Sequence, residues 1–300
     1  MNDEHQMIDL QIDHPDVDDL QKDFRPKSIR AHVLSLIHRW PYEQLMVQAK
    51  GKKVLELGCN KGFGTVIYAE YADSVKALDT SSGAIEKARE LNAHANIEYI
   101  CLDSWTLPFA NDSFDLVVIF QVIEHIALDK LDIFLSEIKR VTSKDGQAFF
   151  STPNRNIRLL PFQKPRNKFH TKEYSAQDLD ELLSRYFLEV RVEGLFGEEA
   201  LNEIERRRVR QKPSKVYFTT PLKRYVIRPI QRLLLNNSQV ESNGTSSRRA
   251  RKVLKKARLQ ELDGVVTEPE DYLFTTSDLE LRSHSLRRAL DLRATVLRVK

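Results

Sequence analysis

Three carboxylates, a glycine turn and a pair of histidines carry the chemistry open to this chain. The stretch VLELGCNKGFGT, residues 54–65, holds three of the ten glycines within seven positions. Glycine loses more backbone freedom on folding than any other residue, so such a cluster marks a tight turn or a ligand lying against bare backbone. Asn60 stands among them, and asparagine tolerates left-handed backbone angles better than most residues. The spacing Gly58-x-Asn60-x-Gly62-x-Gly64 does not fit the G-x-G-x-x-G fingerprint of nicotinamide dinucleotide sites. Glu56 precedes the turn, and Asp79 and Asp103 each end a further segment of strand-like texture. A carboxylate ending a second strand suits a ribose diol. One ending a third can accept from an exocyclic amine, and Glu56 could meet an ammonium, directly or through water. Carboxylates so close would repel a pyrophosphate and favour a cationic ligand. All three are expected to face one crevice.

Further along, VIEHI (residues 122–126) supplies Glu124 and His125, and KFHTKEY (168–174) supplies His170. These are the candidates for taking a proton from a hydroxyl acceptor near neutral pH. Each admits a plainer role as well, His125 as a packed or capping helix-start residue and His170 as a loop anchor. His5, His14, His94 and His284 lack such company and read as surface residues. Cys59 and Cys101 sit in apolar surroundings, read as small core residues, and suggest neither a disulfide framework nor a metal site.

The elements that must position these groups alternate. Strands are predicted at 52–57, 74–79, 96–103, 113–120 and 146–153, with helices at 64–72, 83–95 and 128–142 between them. Strands separated by helices of this length build right-handed βαβ units and a parallel sheet, a doubly wound α/β fold. In such sheets ligands bind beyond the carboxyl ends of the strands, where strand order reverses. The glycine turn lies at one such end. A helical segment at 27–50, with Pro41 marking a break or a new first turn, precedes the sheet. A helix at 175–187, N-capped by Ser175 with Asp178 behind it, and a strand at 188–196 follow. The composition of 271–277 suggests a final strand, and 285–298 reads as a helix.

The 300 residues are 41% hydrophobic and 30% charged, enough for a core and a well-solvated surface. No apolar run approaches the ~20 residues needed to cross a bilayer. The acidic N-terminus lacks the basic and apolar regions of a secretory signal, so a cytoplasmic location is expected. The net charge of +4 conceals an acidic segment at 1–23 and a basic one at 205–258. The expected organisation is an acidic, disordered tail over 1–26 and a core with a helical cap over 27–196. A basic insertion over 197–270 and a strand and helix returning to the core over 271–300 complete it.

These motifs resemble those of the class I S-adenosylmethionine-dependent methyltransferases. VLELGCNKGFG looks like their first motif, KALDTS their second, and CLDSWTLPFANDSFDLVVIFQVIEHI their third and fourth. KFHTKEYSAQDLDELL is similar to a His-x-x-Glu-aromatic segment in the branch that includes ubiquinone and glycan-biosynthesis enzymes. The resemblance covers roughly 40–196 and implies a Rossmann-like sheet of seven strands, mostly parallel, with an antiparallel last strand. It implies S-adenosyl-L-methionine as cofactor and a small-molecule, sugar or lipid-linked acceptor, with O- or N-methylation favoured. By position, Gly58 and Gly62 would lie against the methionine portion, and Asn60 stands where the family has a glycine, with cofactor binding expected to survive it. Asp79 and Thr80 would hold the ribose, and Asp103 would meet the adenine amine with Ser104 and Trp105 lining the ring. Gln121 would sit near the sulfonium and the acceptor.

The basic segment reads first as solvated helix faces. It would otherwise serve a phosphate-bearing substrate or an anionic membrane surface, which would place the protein at a membrane's edge. Its sparse aromatics speak against nucleic acid. Two rival readings of the whole chain stay open at this point. One is a nicotinamide-dependent oxidoreductase, opposed by the glycine spacing and Glu56. The other is a non-catalytic adaptor for nucleic acid or membranes that keeps the sheet as a scaffold.

Overall fold

The computed structural model describes residues 29–209 and 274–297. The acidic tail, the basic segment from residue 210 onward and the start of the expected strand at 271–277 lie outside those residues.

The chain enters through helix α1 (Ile29–Gln48), which continues through Pro41 where a break or a new first turn was expected. Proline removes one i→i−4 hydrogen bond, but burial of Val33, Leu34, Ile37, Trp40 and Leu45 on either side holds the helix together. Alternation follows as β1 (Lys53–Leu57), α2 (Thr65–Ala69), β2 (Ser74–Asp79), α3 (Ser82–Leu91) and β3 (Ile97–Cys101). Next come β4 (Phe114–Phe120), α4 (Leu131–Val141) and β5 (Thr142–Pro153), then the short α5 (Arg155–Arg158) and α6 (Ala176–Leu183). The predicted cap of α6 is present, with Ser175 and Asp178 forming a reciprocal capping box. Strand β6 (Glu189–Gly197), α7 (Glu199–Val209), β7 (Leu279–Arg282) and β8 (Asp291–Leu297) complete the described chain.

The strands form one sheet in the order β3-β2-β1-β4-β5-β8-β6-β7. The first five are mutually parallel. Strand β8 is antiparallel to both β5 and β6, and β7 is a short antiparallel edge beside β6. The sheet therefore has eight strands rather than the expected seven, the addition being that edge strand.

The C-terminal expectations need correction. Residues 276–278 form a 3-10 turn, in which the Asp278 carboxylate accepts from the Thr275 amide at 2.6 Å. The segment read as a helix at 285–298 holds another 3-10 turn and then β8. Leu292, Ala294 and Val296 are buried while Arg293, Thr295 and Leu297 are partly exposed, a period of two rather than 3.6. Its Leu, Arg and Ala content favours helix, and pairing with two strands overrides that weak preference.

Both faces of the central strands are covered. Leu55, Leu57, Val117 and Ile119 pack against Leu135 and Ile138 of α4. Val54, Leu116 and Val118 join Tyr42 and Leu45 of α1, Tyr68 of α2 and Ile85 of α3 on the other face. This two-sided burial explains why residues 116–120 of β4 read as an unbroken apolar run. Among the described residues no helix is long and apolar enough to cross a membrane.

Candidate active site

Strand order reverses between β1 and β4, and there the carboxyl ends of β1, β2 and β4 open into a cavity of about 960 Å3. Leu34, Ile37, His38, Pro41 and Tyr42 of α1 close over it.

The turn after β1 forms one wall. Gly58, Asn60 and Gly62 adopt φ of 81°, 47° and 78°, the left-handed region where glycine and asparagine are least strained. A Cβ on Gly58 would lie 2.4 Å from Val122 Cγ2, so bare backbone is what lets the turn after β1 meet the turn after β4. A Cβ on Gly62 would strike the Tyr99 hydroxyl at 2.4 Å. Gly62 is thus a packing glycine, and it does not line the cavity as expected. Asp79 and Thr80 do. The Asp79 carboxylate accepts from the amides of Asn60 at 2.8 Å and Ser81 at 2.9 Å, which fixes both oxygens at the end of β2. Leu102, Ser104 and Trp105 add a largely apolar wall beyond β3.

The three acids do not face one crevice. Glu56 is buried behind the wall, where its Oε2 accepts from Thr65 Oγ1 at 2.7 Å and Tyr68 Oη at 2.8 Å. Its Oε1 meets no donor in hydrogen-bonding geometry. Burial pushes its carboxyl above the usual range, and the bonds from Thr65 and Tyr68 pull the other way. Asp103 is exposed and lies outside the lining, although its neighbours Leu102 and Ser104 belong to it. Cys101 is exposed too, contrary to the core role expected of it, whereas Cys59 is buried in the cavity wall.

The far end of the cavity is polar. Gln121, at φ 56°, donates from Nε2 to Asp291 Oδ2 at 2.9 Å and to Ser151 Oγ at 3.3 Å. Glu124, His125 and His170 come together there, all buried. The amide of Thr171 donates to the Glu124 carbonyl at 2.7 Å, and Thr171 Oγ1 donates to the His125 carbonyl at 3.2 Å. These bonds dock the segment carrying His170 onto the turn after β4. The two imidazoles meet edge to face with centroids 4.7 Å apart. Burial raises the Glu124 carboxyl to about 7, with the neighbouring His170 pulling the other way. Burial likewise drives Asp291 well above the usual carboxylate range.

Arg158, Lys168 and Ser151 also line the cavity and were not singled out from sequence, and Arg208 of the basic segment joins them. Asp291 carried no signal, since it stands 170 positions from the glutamine it holds. In the described part of the basic segment, Arg206, Arg207 and Arg208 pair with Glu199, Glu203 and Glu205 of the same helix.

The donor set fits a nucleoside-bearing sulfonium. It offers a carboxylate fixed for a diol, a bare-backbone turn, an apolar wall for a ring and buried acids nearby. Residues 55–150 match the family model of the methyltransferase domain. A protein of Mycolicibacterium smegmatis named as an S-adenosylmethionine-dependent methyltransferase is 36% identical over 171 residues, 57% of this chain and 65% of that protein. A ubiquinone biosynthesis O-methyltransferase of Coxiella burnetii is 29% identical over 147 residues, 47% of this chain and 61% of that one. The chain thus spans a little under two thirds of the length of these curated relatives. A chain from the complex between the Haloferax volcanii Trm112 methyltransferase activator and a methyltransferase superposes with a TM-score of 0.50 at 13% identity, a likeness of fold. That alignment covers 92% of this chain and all of the other. By its matched domain over residues 55–150, its sheet and its glycine turn, the chain is similar to the class I S-adenosylmethionine-dependent methyltransferases.

Proposed function

We propose that the protein transfers a methyl group from S-adenosyl-L-methionine to an oxygen or nitrogen of a small-molecule, sugar or lipid-linked acceptor. The observation that carries this reading is the Asp79 carboxylate, pinned by two backbone amides at the mouth of the β2 end and facing a cavity roomy enough for two molecules. A carboxylate already immobilised loses little freedom on accepting a ribose diol. Thr80 would stand beside the ribose. Leu102, Ser104 and Trp105 would line the adenine. Gly58 and Asn60 would lie against the methionine portion. Glu56 acts behind them, holding Thr65 and Tyr68 and lending negative potential to the wall.

The bound cofactor supplies a methyl group already activated by sulfonium charge. What the chain adds is alignment and dryness. Holding two reactants in line can supply up to ~7–11 kcal/mol of a barrier. Helix α1 and the turn at Gln121 exclude water from the gap between the reactants. A hydroxyl acceptor must also lose its proton, and the Glu124, His125 and His170 cluster is the part of the cavity equipped for that.

Methyl-labelled S-adenosylmethionine incubated with the protein and a cell extract tests the reading. Label should enter a low-molecular-weight or lipid fraction with the native chain and not with Asp79→Ala. Equal labelling by the two would overturn it.

A further inference from the structure

We propose that Glu124, His125 and His170 bind a divalent first-row cation, with Zn2+ the best match and an oxygen-bearing acceptor as its remaining ligand. The inference deepens the methyltransferase reading but stands on the cluster itself. One carboxylate oxygen of Glu124 and one ring nitrogen of each histidine lie within 4.8 Å of one another. All three residues are more than nine-tenths buried, and Glu124 Oε1 has no hydrogen-bond partner. A buried carboxylate oxygen without a donor is costly unless a cation or proton meets it.

The surroundings of the ligands are those of a metal centre. Imidazole ligands of metals donate their other N–H to a carboxylate or a backbone carbonyl, which fixes tautomer and ring orientation. His170 Nδ1 lies 3.0 Å from Glu173 Oε1, and His125 Nδ1 lies 3.1 Å from the Phe169 carbonyl. Both acceptors require the proton on Nδ1, so the lone pair is on Nε2 of each ring. Thr152 Oγ1 donates to Glu124 Oε2 at 3.0 Å and orients the carboxylate as well. Each of the three candidate ligands therefore has its own orienting partner. Ligand atoms around Zn2+ stand ~2.0–2.2 Å from the ion, so binding would draw the three inward by a small movement of side chains.

Two imidazoles and one carboxylate suit Zn2+, Fe2+ or Mn2+ and disfavour Mg2+, which prefers all-oxygen sites. Three protein ligands leave a position open toward the cavity, as in catalytic rather than structural zinc sites. An acceptor hydroxyl held in that position would become more acidic and would pass its proton to bulk solvent. The cluster would then ready the acceptor through the ion instead of taking the proton on a side chain.

The test uses the full chain, free of any tag and stripped with a chelator. Calorimetry with Zn2+, read with elemental analysis, should find one equivalent per chain, bound more tightly than Mn2+. Co2+ should give visible d–d bands of a site with nitrogen ligands. His125→Ala and His170→Ala should each weaken Zn2+ binding by about 100-fold or more, and Glu173→Gln by about 10–100-fold. Should either alanine variant fail to fold, the native Co2+ spectrum and Glu173→Gln still decide. No stoichiometric uptake, or affinity unchanged in these variants, would overturn the site. S-adenosylhomocysteine binding is titrated in parallel. A stripped chain that binds it but takes up no cation would sink this inference while leaving methyl transfer standing, and cation uptake without it would do the reverse.

Discussion

At the scale of single residues, the glycine turn is governed by the protein's own packing as much as by any ligand. Gly58→Ala must place a Cβ against Val122 in a left-handed backbone, so it should cost about 1–3 kcal/mol of stability. Gly83 is the contrast, sitting in α3 with nothing within 4 Å of an added Cβ. Gly83→Ala should be neutral or stabilise by up to about 1 kcal/mol. Urea midpoints of the two variants check both, and a Gly58→Ala midpoint equal to the native one would contradict this account. Glu56 predicts a pH dependence. Its carboxyl is raised above the ordinary 4.5 by burial, so its stabilising contribution is complete below that pH and is lost as pH rises through the higher native value. Glu56→Gln keeps an oxygen for Thr65 and Tyr68 and should flatten the fall in stability above pH 4.5. Melting temperatures taken across the acid range would show it, and parallel curves for the two proteins would refute it. Sequence put Glu56 in the crevice because it ends a strand. What that rule omits is the period of two: Leu55 and Leu57 face α4, so Glu56 must face the opposite layer with Val54.

At the scale of elements, the parallel half of the sheet was legible and the antiparallel half was not. Strands β1 to β5 each follow a helix or turn with its own local signal, so their order along the chain announces their kind. Strand β8 has no local signal of that sort, because its partners β5 and β6 lie far away in sequence and its residues favour helix. What seats it is partly Asn154. That buried side chain donates to the carbonyls of Leu286 and Ala289, both at 2.8 Å, tying the turn before β8 to the end of β5. Asn154→Ala removes both donations, and because the Leu286 carbonyl keeps the Ala289 amide, it should cost about 1–3 kcal/mol. A shift in the denaturation midpoint worth less than a quarter of that would show that β8 is seated by strand pairing alone.

At the scale of the whole molecule, one cavity unites residues from the first helix to the last strand. Helix α1 closes it, the turns after β1, β2 and β4 furnish it, and Asp291 of β8 holds the glutamine between its two ends. A ligand filling the cavity should therefore steady α1, and S-adenosylhomocysteine should slow amide exchange over residues 29–48 more than over the distant strand β7. Of the residues that the sequence assigned to the cofactor, Asp79, Thr80, Ser104, Trp105 and Gln121 line the cavity. The sequence showed the acceptor end only as two separate motifs, because nothing local says that residues 122–126 and 168–174 will dock on each other. The claim on which the rest depends is that this cavity holds S-adenosylmethionine through Asp79. Titration calorimetry with S-adenosylhomocysteine tests it most directly: the account predicts saturable one-to-one binding by the native chain and none by Asp79→Ala. A native chain that gives no heat, or a variant that binds as well, would contradict it.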